Sequence, residues 1–305
     1  MPRHLVLDQN YLRSDGLKQL ISAEPDAIFI LPDVALIEMC KGEKWQHVMR
    51  SSLAVLSKIP VKVRFSLCVG EAIREELASF TSIQGRLLPD DFTDLKNCLL
   101  RDVADNTCSP GGFGKVAENI DRAQKDFRDD ELNHSKNQQR ILTLNSKIKS
   151  GLGASLIKAL RNGKILEDAR LTIISELAQS LLQDFLLAKG LSERQVSGFI
   201  SQKPLLFRHY ILVVQQDIEW IRTGGLESQP PERITNNLMD QDYVLIGSFF
   251  DALLSQDRRV VDADRDLRNC LTMPRQEWID GPLNFDRFLP SEQSLEDSEC
   301  TNETD

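Results

Sequence analysis

The sequence predicts an α/β protein of three layers, α/β/α, with a central parallel sheet covered by helices and a mainly helical insertion. Three observations predict it. Short apolar runs end at acids or chain breakers, as strands buried on both faces do. Those runs alternate with helical apolar spacing before residue 50, the pattern of parallel strands joined by helices. A long central stretch then carries helical periodicity alone.

The first strand is His4-Leu5-Val6-Leu7, which breaks at Asp8. A short helix is expected over 17–23 and a second strand over 27–31, closed by Pro32. Val34, Ile37 and Met39 recur at helical spacing, with Asp33 as the N-cap. Residues 60–69 alternate apolar and polar, a strand period, and Gly70 leads into a helix over 71–80. Helical patterns fill 90–101, 116–149, 154–159, 166–189 and 205–222. The loop Ser109-Pro110-Gly111-Gly112-Phe113-Gly114 separates two of them, and Gly224-Gly225 with Pro230-Pro231 mark the exit. An apolar helical stripe covers 238–254, and Leu253-Leu254-Ser255-Gln256-Asp257 reads as a last buried strand reaching an acid. Val260-Val261-Asp262 and Asp264-Arg265-Asp266-Leu267 follow as loop and helix start. The expected organisation is a discontinuous core of 1–85 and 230–290, a helical insertion of 86–229, and an acidic disordered tail of 291–305.

The chain has 305 residues, 41% hydrophobic and 27% charged, ordinary values for a globular protein with a sizeable core. No apolar run approaches the ~20 residues that span a bilayer, so no membrane association is expected. Met1-Pro2-Arg3-His4 and the short run after it do not make a secretory signal. Six cysteines without C-x-x-C spacing argue against a disulfide framework or a zinc knuckle and fit a reducing, cytoplasmic setting. His4, His47, His134 and His209 are isolated from one another. The net charge is −9, but six of those charges sit in 291–305, which leaves −3 on the body. Charge therefore does not exclude nucleic acid, because bound divalent cations would neutralise more.

Acids stand at the ends of apolar elements: Asp8 and Asp257 after strands, Glu38 and Asp240 on helices. The carboxyl ends of parallel strands share one edge, where ligands bind in a crevice. Four carboxylates gathered there repel one another by several kcal/mol unless a cation sits among them. Hard divalent cations such as Mg²⁺ prefer such oxygen ligands.

Leu5-Val6-Leu7-Asp8-Gln9-Asn10 resembles the opening of PIN-domain nucleases, an apolar strand running into D-x-N. The segment from Leu31 to Gly42 resembles their second motif, in which a Glu, here Glu38, is followed four positions later by Gly. The stretch from Asp240 to Asp257 resembles the third and fourth motifs, an acid opening an apolar helix and a small-residue strand leading into a final Asp. The resemblance covers 1–85 and 230–290, and the gap from Glu38 to Asp240 is far longer than in compact members.

The resemblance implies that Asp8, Glu38, Asp240 and Asp257 hold one or two Mg²⁺ or Mn²⁺ ions and that the protein hydrolyses phosphodiester bonds as an endoribonuclease. Asp242 is an alternative third acid, since it faces another side of the same helix from Asp240. Asn10 is expected to orient Asp8 or the substrate. Asp251, eleven positions after Asp240, falls on nearly the same helical face but ~16 Å along the axis, and is read as a supporting residue. RNA is the expected substrate over DNA. Lys136, Arg140, Lys147, Lys149, Lys158, Arg161 and Lys164 form a basic stretch for phosphates. The family allows a protein partner such as an antitoxin, and self-association; toxin, RNA-processing and host-defence roles stay open. A rival reading is a catalytically silent scaffold whose helical insertion binds a protein. A dinucleotide-binding regulator is disfavoured, because Gln9-Asn10-Tyr11-Leu12 is too bulky for the glycine-rich turn that approaches a pyrophosphate.

Overall fold

The computed structural model describes residues 2–126, 134–226, 231–273, 278–281 and 283–289. The tail 291–305 lies outside the described residues. β1 (His4–Leu7), α1 (Gln9–Leu12), α2 (Asp15–Ala23), β2 (Ile28–Leu31), α3 (Asp33–Met39), α4 (Trp45–Leu53) and β3 (Val63–Phe65) come first. α5 (Val69–Ser79), α6 (Thr93–Asp105), α7 (Lys115–Asp126), α8 (His134–Arg161) and α9 (Glu167–Ala188) follow. α10 (Glu193–Ile200), α11 (Leu205–Arg222), α12 (Pro231–Gly247), β4 (Ala252–Leu254) and α13 (Arg258–Thr272) complete the series.

The sheet has four strands in the order β3-β2-β1-β4, every pair parallel. Leu5 pairs with Phe29 and with Ala252, and Phe29 with Val63. Leu5, Val6, Leu7, Phe29, Ile30 and Leu31 are all buried, which is why β1 and β2 read as unbroken apolar runs. All four strands end at one edge. The chain steps outward from β1 to β3 and then returns to the other side of β1 as β4. That reversal is the switch point at which open parallel sheets leave a crevice.

β3, α3 and α13 differ from the sequence reading, as do α12, which runs Pro231–Gly247 rather than 238–254, and the unexpected α4 and α10. The expected strand 60–69 shrinks to Val63–Phe65, because Pro60 lacks an N–H and opens a 3₁₀ turn instead. Pro32 takes the cap position of α3, and Asp33 is its first helical residue. α13 begins at Arg258, so Val260, Val261 and Asp262 are helical rather than a loop. Its start is set by Asp257, whose carboxylate accepts from the Arg259 backbone N at 2.8 Å.

The segment 86–229 does not stand apart. Ile148, Ile174 and Leu212 belong to the same hydrophobic core as Leu5, Phe29 and Leu253. α9 is long and apolar enough to cross a membrane by length and composition, contrary to the sequence expectation, but most of that stretch is buried inside the protein. Glu76 on α5 ties the two regions. It is fully buried and accepts from the backbone N of Ile83 (2.8 Å), Leu205 (2.8 Å) and Leu206 (2.9 Å). The last two are the first N–H groups of α11, which have no partner within the helix. Arg208, one turn on, donates to the Ser248 carbonyl at 2.6 Å beyond the end of α12 and stacks 3.6 Å from the Phe249 ring.

Within the insertion, Asp217 on α11 is 1% exposed and accepts from Asn145 on α8 at 3.2 Å. Burial pushes its carboxyl up to about 7, against the Asn145 hydrogen bond and the charge of Lys149. Between the unfolded value of ~3.9 and this folded value, the native state keeps a proton that the unfolded state releases, so stability falls as pH rises from about 4 to 7. Asp217→Asn is therefore expected to melt with wild type near pH 4 and above it at pH 8. Thermal melts at the two pH values check this; an unchanged difference between them contradicts it.

Candidate carboxylate site

The crevice beside β1 and β4 is built by loops and helix starts at the carboxyl edge. Asp8 follows β1 directly and is 4% exposed. One carboxylate oxygen accepts from the Asn10 backbone N at 3.3 Å, capping α1, and the other accepts from the Ser255 hydroxyl. Ser255 Oγ in turn accepts from the Asp257 backbone N at 3.0 Å and from Asn10 Nδ2 at 3.5 Å. Asn10 Oδ1 accepts from the Gln256 backbone N at 2.9 Å. Asn10 thus staples the end of β1 to the end of β4 and orients Asp8 through Ser255.

Glu38 reaches the same place from α3. Its Oε2 accepts from the Tyr243 hydroxyl at 2.7 Å, and Lys41 Nζ stands 3.5 Å from Oε1. Tyr243 on α12 is 1% exposed, so its hydroxyl is a fixed donor. Burial, then the charge of Glu38 and its hydrogen bond, raise the Tyr243 phenol well above its usual range, with Asp8 adding to the effect. Tyr243 and Asp240 are three residues apart and share one face of α12. Asp257 caps α13 and is bound by Arg259 at 3.1 Å. The same guanidinium stands 3.8 Å from Asp240 and donates to Asn237 at 3.1 Å.

The acids are near enough for their charges to act on Asp8 and Asp240. Burial pushes the Asp240 carboxyl up to about 7; Arg259 offsets part of this, and the charges of Asp257, Glu38 and Asp8 add to it. Burial also raises Asp8, the Ser255 and Asn10 hydrogen bonds oppose the rise, and Glu38 and Asp257 reinforce it. Asp257 is depressed: its partial burial acts upward, but the hydrogen bonds and charge of Arg259 outweigh that. Among the described residues, no three His, Cys, Asp or Glu side chains stand close enough as placed to hold a metal ion. The cations that side chains supply are Arg259, beside Asp240 and Asp257, and Lys41, beside Glu38.

Asp8, Glu38, Asp240 and Asp257 are therefore brought to one edge. Asp242 lies two residues from Asp240 on α12, on another side of that helix. Asp251 is a correction. Its carboxylate accepts from the His4 backbone N at 2.6 Å, and its own N donates to the His4 carbonyl at 3.0 Å. It lies at the amino end of β1, across the sheet from the site, because α12 stops at Gly247 and the chain turns before reaching it. In the basic stretch, the side chains of Lys136 and Arg140 lie outside the described residues, while Lys147, Lys158 and Lys164 are exposed. Arg161 is engaged with the Ile221 carbonyl at 3.3 Å.

Sequence reasoning missed Ser255, Tyr243 and Arg259. Arg259 lies two residues from Asp257, which it binds, and that proximity is a signal. Ser255 and Tyr243 bond to Asp8 and Glu38 from 247 and 205 residues away, where no local signal points to them. The molecule is an α/β protein whose parallel sheet presents a carboxylate cluster at its switch point. No family model matches the chain, and neither a curated protein nor a solved structure matches it.

Proposed function

We propose that the protein is a Mg²⁺- or Mn²⁺-dependent nuclease with a three-layer, PIN-like core, acting as an endoribonuclease. The observation that carries this reading is Asp240, brought beside Asp257, Glu38 and Asp8: burial pushes its carboxyl up to about 7, and the charges of those three acids add to the rise. Asp8 and Asp240, raised chiefly by burial and further by neighbouring acids, stand with Glu38 and Asp257 as the oxygen donor set that hard cations take. Asp8, Glu38, Asp240 and Asp257 would hold the ion, with Asp240 and Asp257 turned away from Arg259. When bound, the ion acidifies water and neutralises charge on the phosphate.

The chain's own residues have distinct roles in that scheme. Asn10 and Ser255 fix Asp8, and Tyr243 fixes Glu38, so two carboxylates meet the substrate already oriented. Asp240, which burial and the neighbouring acids raise in the empty site, would give up its proton to take the ion. Arg259, freed from the acids, is placed to pair with a phosphate oxygen. Hydrolysis adds water across the phosphorus–oxygen bond and returns a proton to the leaving oxygen.

Incubating purified protein with mixed RNA and DNA oligonucleotides in Mn²⁺, and in EDTA, tests the reading. Cleavage of RNA in Mn²⁺ alone is expected; no cleavage of any oligonucleotide overturns it. One observation favours the second reading, a silent scaffold: Arg259 bridges Asp240 and Asp257, and no three acids are gathered for a metal among the described residues. A scaffold would show no rise in melting temperature with Mn²⁺.

A further inference from the structure

Arg259 stands on the first turn of α13, two residues after the cap Asp257. Its guanidinium lies 3.1 Å from Asp257 Oδ2 and 3.8 Å from Asp240 Oδ2, and donates to Asn237 Oδ1 at 3.1 Å. Asn237 precedes Asp240 by three residues, so the two share one face of α12. Asn237 is 8% exposed, and its amide oxygen is a neutral acceptor that aims the guanidinium across the two acids. The backbone N of Arg259 also donates to Asp257 Oδ1, so one residue engages both oxygens of that carboxylate.

The Arg259 side chain is nonetheless 56% exposed. A cavity of about 540 Å³, lined by Arg259 and Asp240 among others, leaves room beside it. It can therefore leave its acceptors without disturbing the core. Lys41, 3.5 Å from Glu38 and 40% exposed, is a second removable cation. Together Arg259 and Lys41 carry the charge of one divalent ion. A guanidinium left in place would stand within a few ångströms of an ion held by Asp240 and Asp257. At that range two cations repel strongly in a partly buried site.

We infer that Arg259 is a built-in competitor for the metal ion, latched over Asp240 and Asp257 by Asn237 and released when a phosphodiester takes its guanidinium. Arginine binds phosphate by charge-assisted, bidentate hydrogen bonds, so the nucleic acid offers a partner as strong as the two acids. Metal and nucleic acid then bind cooperatively, each raising the affinity for the other by the same factor. The inference rests on the nuclease reading above and adds its regulation: without nucleic acid the carboxylates take up metal weakly.

The test reads Mn²⁺ affinity from the electron paramagnetic resonance signal of the free ion, with thermal melts confirming the fold. Arg259→Gln should tighten Mn²⁺ binding about tenfold, and Asn237→Ala, which loosens the latch and alters no charge, about threefold. Arg258→Gln removes the neighbouring charge at a 93% exposed position and should change it less than about twofold. A labelled single-stranded DNA supplies phosphodiesters that an endoribonuclease leaves intact. By anisotropy, Mn²⁺ should raise its affinity for wild type about tenfold and for Arg259→Gln less than about twofold. Mn²⁺ affinity unchanged or lowered in Arg259→Gln, or raised equally in Arg258→Gln, overturns the competitor role and leaves the nuclease reading standing. Failure of both wild type and Arg259→Gln to bind millimolar Mn²⁺ overturns both. If Arg259→Gln takes up Mn²⁺ more tightly while wild type in Mn²⁺ cleaves nothing, the competitor role stands and the nuclease reading fails.

Discussion

Asp8→Asn is expected to lower RNA cleavage on the order of 10³-fold, about 4 kcal/mol of transition-state stabilisation, while the melting temperature holds or rises. The two effects have one cause. Asp8 is 4% exposed, and its carboxyl is raised chiefly by burial. The folded protein therefore gives up stability to keep it ionised. Asparagine keeps an oxygen for the Ser255 hydroxyl and removes the charge. A single-turnover assay with a thermal melt on the same preparation separates the outcomes. Cleavage retained within tenfold of wild type would remove Asp8 from the chemistry; a collapsed melt would make it structural.

The largest stability effect is expected at Glu76. Glu76→Ala leaves three buried backbone N–H groups, of Ile83, Leu205 and Leu206, without an acceptor. Each such group costs about 1–3 kcal/mol, so a loss of about 3–5 kcal/mol is expected in urea unfolding. Glu76→Gln should fall between, because one oxygen can still serve Ile83 and Leu205 while the new NH₂ opposes the Leu206 N–H. A loss under about 1 kcal/mol for the alanine variant would mean that water or rearrangement replaces these bonds.

Much of the fold is legible in the sequence because burial on both faces leaves β1 and β2 with no polar position to blur them. α11 is read from residue 205 to 222 for a related reason, since an apolar helical stripe continues through it. β3 is over-read because Pro60 interrupts hydrogen bonding without interrupting the alternation of side chains. α13 is under-read because two adjacent valines look like strand or loop, and only the Asp257 cap turns them into a first helical turn. The four acids are visible as breaks in apolar runs. Their supports are not, since Ser255 and Tyr243 act across the sheet edge, and that meeting is set by the β1–β4 register. Asp251 is misplaced for the opposite reason: its helical phase is right only if α12 continues, and it ends at Gly247.

Asn10 donates to Ser255 and accepts from the Gln256 backbone N, joining positions 245 and 246 residues apart. During synthesis the first partner therefore emerges well before the second. Closing so long a loop is entropically costly and comes late on the folding route. A chain that stops short of β4 therefore carries Asp8 without its anchor.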